Sequence, residues 1–238
     1  MKVYDVMRKA RLTFLLNNAM ELLLSIPKTV YFNFRVLPVK YAIKFPFVVS
    51  HHIKLKGVNK NSFICGITPL RTASMRIGFG ASPVGIKSSK KGLICITNGG
   101  KIIVSTCLGI SQGCLLIVDN CTLKIGNSFR SNYSMTVDCA NSDVTIGNGV
   151  VLGWNVTIRN DDGHYMVKNG KQTEKHKPVV IGDNVWLCAN STVLKGTQIG
   201  QGSVLAYGSL LTKTVEKEHV CYAGFPAKVI HENVSWLE

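Results

Sequence analysis

One apolar residue recurs every six positions over the last third of the chain: Ile181, Leu187, Val193, Ile199, Leu205 and Leu211. Four positions after each stands a small or β-branched residue, namely Val185, Ser191, Thr197, Ser203, Ser209 and Val215. Gly182, Asp183, Asn184, Asn190, Gly196, Gly200, Gly202 and Gly208 fill the intervals with residues that tolerate tight corners and positive φ. A helix at 3.6 residues per turn would scatter this column around its axis, and a hairpin strand would alternate in twos. A period of six instead predicts a three-sided coil. Each side is a short strand, three hexads close a turn, and the aliphatic column stacks on itself as a continuous core.

The same register runs from Ile146 through Leu152 to Ile158, and Ile117 and Ile125 repeat it with slippage. Short β-type runs such as Ile102-Ile103-Val104 carry the pattern back to about residue 62. The expected fold is therefore an all-β solenoid over 62–218, and a sandwich of short strands is the plainer alternative. Residues 1–61 differ in texture. Met7, Ala10, Phe14, Leu15 and Leu22 have helical spacing that Pro27 should end, so this part is expected to be a mostly helical, basic cap over the open coil end. Residues 219–238 form a short C-terminal extension.

Charge narrows the partners. The chain carries 28 Lys and Arg against 13 Asp and Glu, a net charge of +15. Residues 1–60 alone hold eleven basic residues against Asp5 and Glu21. An anionic partner is expected, but no helix-turn-helix, zinc-finger spacing or stacked aromatic platform accompanies the charge, so nucleic acid is not the expected one. Coenzyme A phosphates, an anionic polysaccharide or an acidic membrane surface fit equally well, the last through Arg8, Lys9 and Arg11. Eight scattered cysteines without a CxxC pair read as small core residues in a reducing compartment. Asn17, Asn18 and Glu21 interrupt the N-terminal apolar run, so no signal core or membrane span is expected there. The expected location is the cytoplasm, with the inner face of the membrane as a variant of it.

The hexad register breaks between Ile158 and Ile181, twenty-three positions apart. The break predicts a loop over 159–180 that opens with Arg159-Asn160-Asp161-Asp162-Gly163-His164, and a loop leaving a rigid scaffold is a common place for function. His164 is the candidate base, because an imidazole can take a proton from a hydroxyl as it attacks a carbonyl. Asp162 or Asp161 could orient its ring or simply form the turn. His176, between two lysines, reads as a solvated loop residue.

The stretches Ile146–His164 (IGNGVVLGWNVTIRNDDGH), Pro178–Trp186 (PVVIGDNVW), Leu205–Lys213 (LAYGSLLTK) and Ala223–Ile230 (AGFPAKVI) resemble the hexapeptide-repeat acyltransferases. Among these they are most similar to the galactoside and maltose acetyltransferases and the bacterial polysaccharide O-acetyltransferases. The resemblance implies a left-handed parallel β-helix, a homotrimer with sites in clefts between subunits, and acetyl-CoA as co-substrate; the shortage of histidine ligands makes no metal the expectation. It implies His164 as general base and Trp186 beside the acetyl or acceptor group. It places Ala206, Tyr207, Gly208 and Thr212 along the pantetheine arm, and Lys213 and Lys228 near coenzyme A phosphates. Asn132 is similar to an acceptor-binding asparagine, offset by one position, and Cys188 stands where the family has glycine. Pro27–Leu37 (PKTVYFNFRVL) is similar to the front end of polysaccharide-modifying members and tilts the acceptor toward a capsule, O-antigen or exopolysaccharide unit.

Two rivals share the fold. A metal-dependent solenoid enzyme needs about three histidine ligands, and only His164 and His176 lie between residues 53 and 218. A non-enzymatic scaffold needs neither the loop histidine nor Trp186. A small sugar or an amino acid is the alternative acceptor.

Overall fold

The computed structural model describes residues 19–66, 70–79, 90–214 and 217–237. Helices α1 (Ala19–Val36) and α2 (Val39–Ala42) come first. The chain then winds through successive turns of three short strands. The first two turns are β1 (Phe47–Val49), β2 (Ile53–Lys56) and β3 (Phe63–Cys65), then β4 (Met75–Ile77), β5 (Gly92–Thr97) and β6 (Lys101–Val104). Next come β7 (Leu108–Ile110), β8 (Leu115–Asp119) and β9 (Thr122–Ile125), then β10 (Phe129–Ser131), β11 (Thr136–Ala140) and β12 (Val144–Ile146). The fifth turn, β13 (Val151–Leu152), β14 (Thr157–Arg159) and β17 (Val179–Ile181), contains the small strands β15 (Val167–Lys168) and β16 (Lys171–Gln172). It is followed by β18 (Trp186–Leu187), β19 (Thr192–Val193) and β20 (Gln198–Ile199), then β21 (Val204–Leu205) and β22 (Leu210–Leu211). The last strands are β23 (Cys221–Gly224) and β24 (Ala227–His231).

Every third strand of the coil joins the same sheet, so three mostly parallel sheets form its faces. Face A runs β1-β4-β7-β10-β13-β18-β21-β23-β24, face B runs β2-β5-β8-β11-β14-β19-β22, and face C runs β3-β6-β9-β12-β17-β20. Ile181, Leu187, Val193, Ile199, Leu205 and Leu211 are all 1% exposed or less. The second column is buried as well over Val185, Ser191, Thr197, Ser203 and Ser209, while Val215 lies outside the described residues. Its hydroxyls tolerate burial by bonding backwards, Ser191 Oγ to Cys188 O and Thr197 Oγ1 to Leu194 O at 2.7 Å each.

The slippage upstream has a geometric cause. Trp186 pairs with Val204, 18 positions on, which is three hexads. Phe129 pairs with Leu108, 21 positions back, so the earlier turns carry one extra residue per side. Corner asparagines in the left-handed region absorb it. Asn98, Asn120 and Asn141 have φ near +50°, and Asn120 Nδ2 donates to Asn141 Oδ1 at 2.9 Å one turn above.

The coil starts at Phe47 rather than at residue 62, because β1 pairs in parallel with β4 and β2 with β5. The sequence hid these strands because β1 is three residues long and its turn spans 28 positions, from Phe47 to Met75. Helix α1 also differs from expectation. Pro27 lies within it, on the exposed side where the missing donor leaves a carbonyl facing water. The part of the expected helix before residue 19 lies outside the described residues.

Both ends of the coil are closed. At the front, Ser25, Thr29 and Asn33, one helical turn apart, satisfy the free edge of β1. Asn33 Nδ2 donates to Phe47 O at 2.9 Å, Phe47 N–H donates to Asn33 Oδ1 at 3.2 Å, and Val49 N–H donates to Thr29 Oγ1 at 3.1 Å. Phe32 plugs the bore edge-on to Phe47 and Phe63, at centroid distances of 5.0 and 5.1 Å. At the other end, fully buried Tyr222 on β23 continues the Leu152–Leu187–Leu205 column, and β24 turns back antiparallel.

Candidate active site

The break in the hexads is a hairpin that projects from the corner between faces B and C. Its root is closed by Asn160, a fully buried residue. Asn160 Oδ1 accepts from Ala140 N–H at 2.8 Å, Nδ2 donates to Ser142 O, and its carbonyl accepts from Lys177 N–H at 3.1 Å. Asp161 and His176 then face each other as an antiparallel bridge, with Oδ2 and Nδ1 2.8 Å apart. His176 is thus a root residue with a side chain 18% exposed, not the solvated loop histidine that its flanking lysines suggested. Its Nε2 meets Asn141 Nδ2 at 3.4 Å, which ties the loop to the corner asparagine ladder.

Farther out, β15 and β16 pair antiparallel around Asn169-Gly170, both at positive φ as a two-residue turn of this kind requires. That dipeptide is the sequence signal for the hairpin, and the hexad count alone overlooks it. Between the Asp161–His176 bridge and the Val167–Gln172 pair, one arm has five residues (162–166) and the other three (173–175). The longer arm bulges outward, and its middle residue is His164. Among the described residues His164 has no hydrogen bond or ion pair, and its side chain is exposed.

The expected contact from Asp162 to His164 is not made within the chain. Asp162 forms an ion pair with Lys195, whose ammonium also donates to Glu174 O on the opposite arm. Asp161 is likewise committed to His176, to Lys175 at 3.5 Å and to the Gly163 N–H. Both aspartates therefore shape the loop. Lys195 holds it against the sixth turn, a role its place in a hexad did not reveal.

A groove of about 440 Å³ lies between the hairpin and the coil, lined by Met166, Thr173 and Glu174 from the loop and by Lys195, Thr212 and Lys213 from the coil. Thr212 and Lys213 thus meet the loop that bears His164. The other sequence candidates lie elsewhere. Ala206, Tyr207 and Gly208 follow β21 at the A–B corner, where the Tyr207 hydroxyl accepts from Asn190 Nδ2 at 2.6 Å. Asn132 follows β10 at the same corner, and its N–H donates to Leu152 O at 2.9 Å. Lys228 sits opposite Ala223 in the β23–β24 ladder.

Trp186 lies on face A, 38% exposed, and its ring is met by Trp236 at 6.1 Å with a 46° tilt. Trp236 is fixed by donation from its Nε1 to Asn184 O at 2.7 Å. Nothing in the hexads pointed to Trp236, which arrives from the C-terminal extension. Cys188, two residues after Trp186, is half-buried, and burial pushes its thiol up to about 11. It is therefore protonated at neutral pH and unsuited to nucleophilic attack. All eight cysteines are free; Cys65, Cys114 and Cys139 fill the core as expected, whereas Cys107 is exposed.

Residues 178–213 match the family model of the bacterial transferase hexapeptide (six repeats). The chain is similar to the hexapeptide-repeat transferases over this stretch and beyond it. It is 34% identical over 113 residues to a galactoside O-acetyltransferase of Escherichia coli (strain K12), covering 46% of this chain and 54% of that one. It is 32% identical over 154 residues to a polysialic acid O-acetyltransferase of Escherichia coli O1:K1 / APEC, covering 63% of this chain and 43% of the relative. The chain spans about half the length of the curated relatives it matches. The crystal structure of the polySia-specific acetyltransferase NeuO superposes with a TM-score of 0.56 at 23% identity, over 81% of this chain and 89% of that one, a likeness of fold.

Proposed function

We propose that the protein is an acetyl-CoA-dependent O-acetyltransferase acting on a saccharide hydroxyl, with His164 as general base. The observation that carries this reading is the bulged hairpin. Its longer arm carries an uncommitted imidazole two residues before Met166, which lines a groove together with Thr212 and Lys213 of the coil. The relatives named above as sugar and polysialic acid O-acetyltransferases support the acceptor class. His164 would take the hydroxyl proton as the oxygen attacks the thioester carbonyl, and the proton would leave with the coenzyme A thiolate. Direct transfer needs no enzyme nucleophile, which accords with the protonated thiol of Cys188. Lys213 supplies a cation for coenzyme A phosphate.

The same reading makes the coil left-handed and the enzyme a trimer, in which Trp186 of face A and the His164 loop, far apart around one chain, come from neighbouring subunits to a common cleft. Ala206, Tyr207 and Gly208 would then line the pantetheine path, Asn132 would contact the acceptor, and Lys228 would add a second cation for the phosphates. The division into cap, coil and extension is part of the proposal, as is a cytoplasmic location. No described helix is long and apolar enough to cross a membrane. The decisive experiment incubates the protein with labelled acetyl-CoA and bacterial polysaccharides, and follows ester formation beside His164→Ala. Ester formation that survives the substitution removes His164 from the mechanism, and its absence with every saccharide favours the scaffold alternative.

A further inference from the structure

Helix α1 is amphipathic the wrong way round for a helix that caps a soluble coil. Its polar residues Ser25, Thr29 and Asn33 face inward, because the edge of β1 needs their hydrogen bonds. Its outward arc is apolar: Met20, Leu23, Ile26, Val30, Tyr31 and Phe34 are 40–70% exposed. Beside this arc, Phe45 and Val48 complete an apolar groove of about 660 Å³. Val39 on α2 (66% exposed) and Ile43 just after it (59% exposed) add to the exposed apolar residues of this segment. An exposed apolar groove of this size marks an interaction surface.

The charge around it selects the partner. Residues 19–66 contain one acid, Glu21, and it is turned inward to accept from Ser50 Oγ at 2.9 Å and Gln112 Nε2 at 3.1 Å. The exposed charges of this segment, Arg35, Lys40, Lys44, Lys54, Lys56 and Lys60, are all cationic. A second copy placed face to face would oppose like charges, whereas an anionic lipid surface accepts both the apolar arc and the lysines. We infer that α1 and α2 dock the coil end onto an anionic phospholipid bilayer, lying in the interface plane. This surface is independent of the acyl-transfer reading and would hold even if that reading failed.

The test is flotation of the full chain with vesicles of phosphatidylcholine alone or mixed with phosphatidylglycerol. The protein should float with the mixed vesicles and far less with the neutral ones, and salt should weaken the difference. Leu23→Glu/Val30→Glu should lower the bound fraction at least tenfold with the melting temperature unchanged. Lys40→Glu/Lys44→Glu, a surface change that leaves the helix intact, should abolish the preference for anionic vesicles. Absence of wild-type binding, or binding by both variants at the wild-type level, overturns the inference. So does a melting temperature lowered by Leu23→Glu/Val30→Glu, which would mean that the chain's own residues already cover the arc. A change of oligomer size in that variant without any vesicle binding would assign the surface to a second copy and overturn it too.

Discussion

The root and the tip of the 160–178 hairpin are built from opposite materials. At the root, Asn160 is fully buried and bonded to four backbone groups, and Asp161, His176 and Asn141 form a connected polar chain. At the tip, His164, Tyr165, Met166 and Val167 are exposed, and His164 has no polar partner among the described residues. A rigid root fixes where the tip stands, while the tip keeps its imidazole free for a ligand. The difference predicts that substitutions at the root damage stability and substitutions at the tip damage turnover, and each experiment below presses on that division.

The largest effect is expected from His164→Ala. Loss of a general base lowers kcat by about 10²–10⁴-fold, and steady-state kinetics beside coenzyme A titration should show affinity and melting temperature nearly unchanged. Asn160→Ala is the converse. It leaves the Ala140 N–H and Ser142 carbonyl buried without their partner, so urea unfolding should show a loss of about 2–4 kcal/mol from two orphaned groups. A loss of only a few tenths would mean that the root is not the anchor described here.

Lys195→Met removes the cation that spans both arms. It should reduce kcat severalfold, less than His164→Ala, and speed amide exchange over 162–175 with little change in global stability, since a partly exposed ion pair contributes on the order of 1 kcal/mol or less. The smallest effect concerns the buried thiols of the coil. Burial holds Cys188 near 11 and Cys114 near 12, so both should alkylate slowly at pH 8 and faster as pH rises toward those values. Exposed Cys107 should be modified first in a mass-spectrometric time course.

Legibility in the sequence followed local periodicity. The columns from Ile181 to Leu211 were readable because each turn is 18 residues, so inward positions recur without phase error. The turns of 21 residues and the first turn of 28 defeat a fixed period, and the coil start at Phe47 was lost with them. The position of the loop was readable as a break in register. Its hairpin form is encoded by Asn169-Gly170, a short signal within a polar run that a period of six does not contain.

The three-sided coil, the corner residues, the excursion and the histidine within it follow from the spacing of neighbours along the chain. Which partners the polar groups of the loop take depends on how distant segments pack. Asp162 goes to Lys195 and Asp161 to His176, contacts across 33 and 15 positions that depend on where the sixth turn and the returning arm lie. The same holds for Trp236 against Trp186 and for the inverted face of α1. Spacing specifies which residues share a side of the coil, but the pairing of one element with another is set by packing in space, which no period along the chain records.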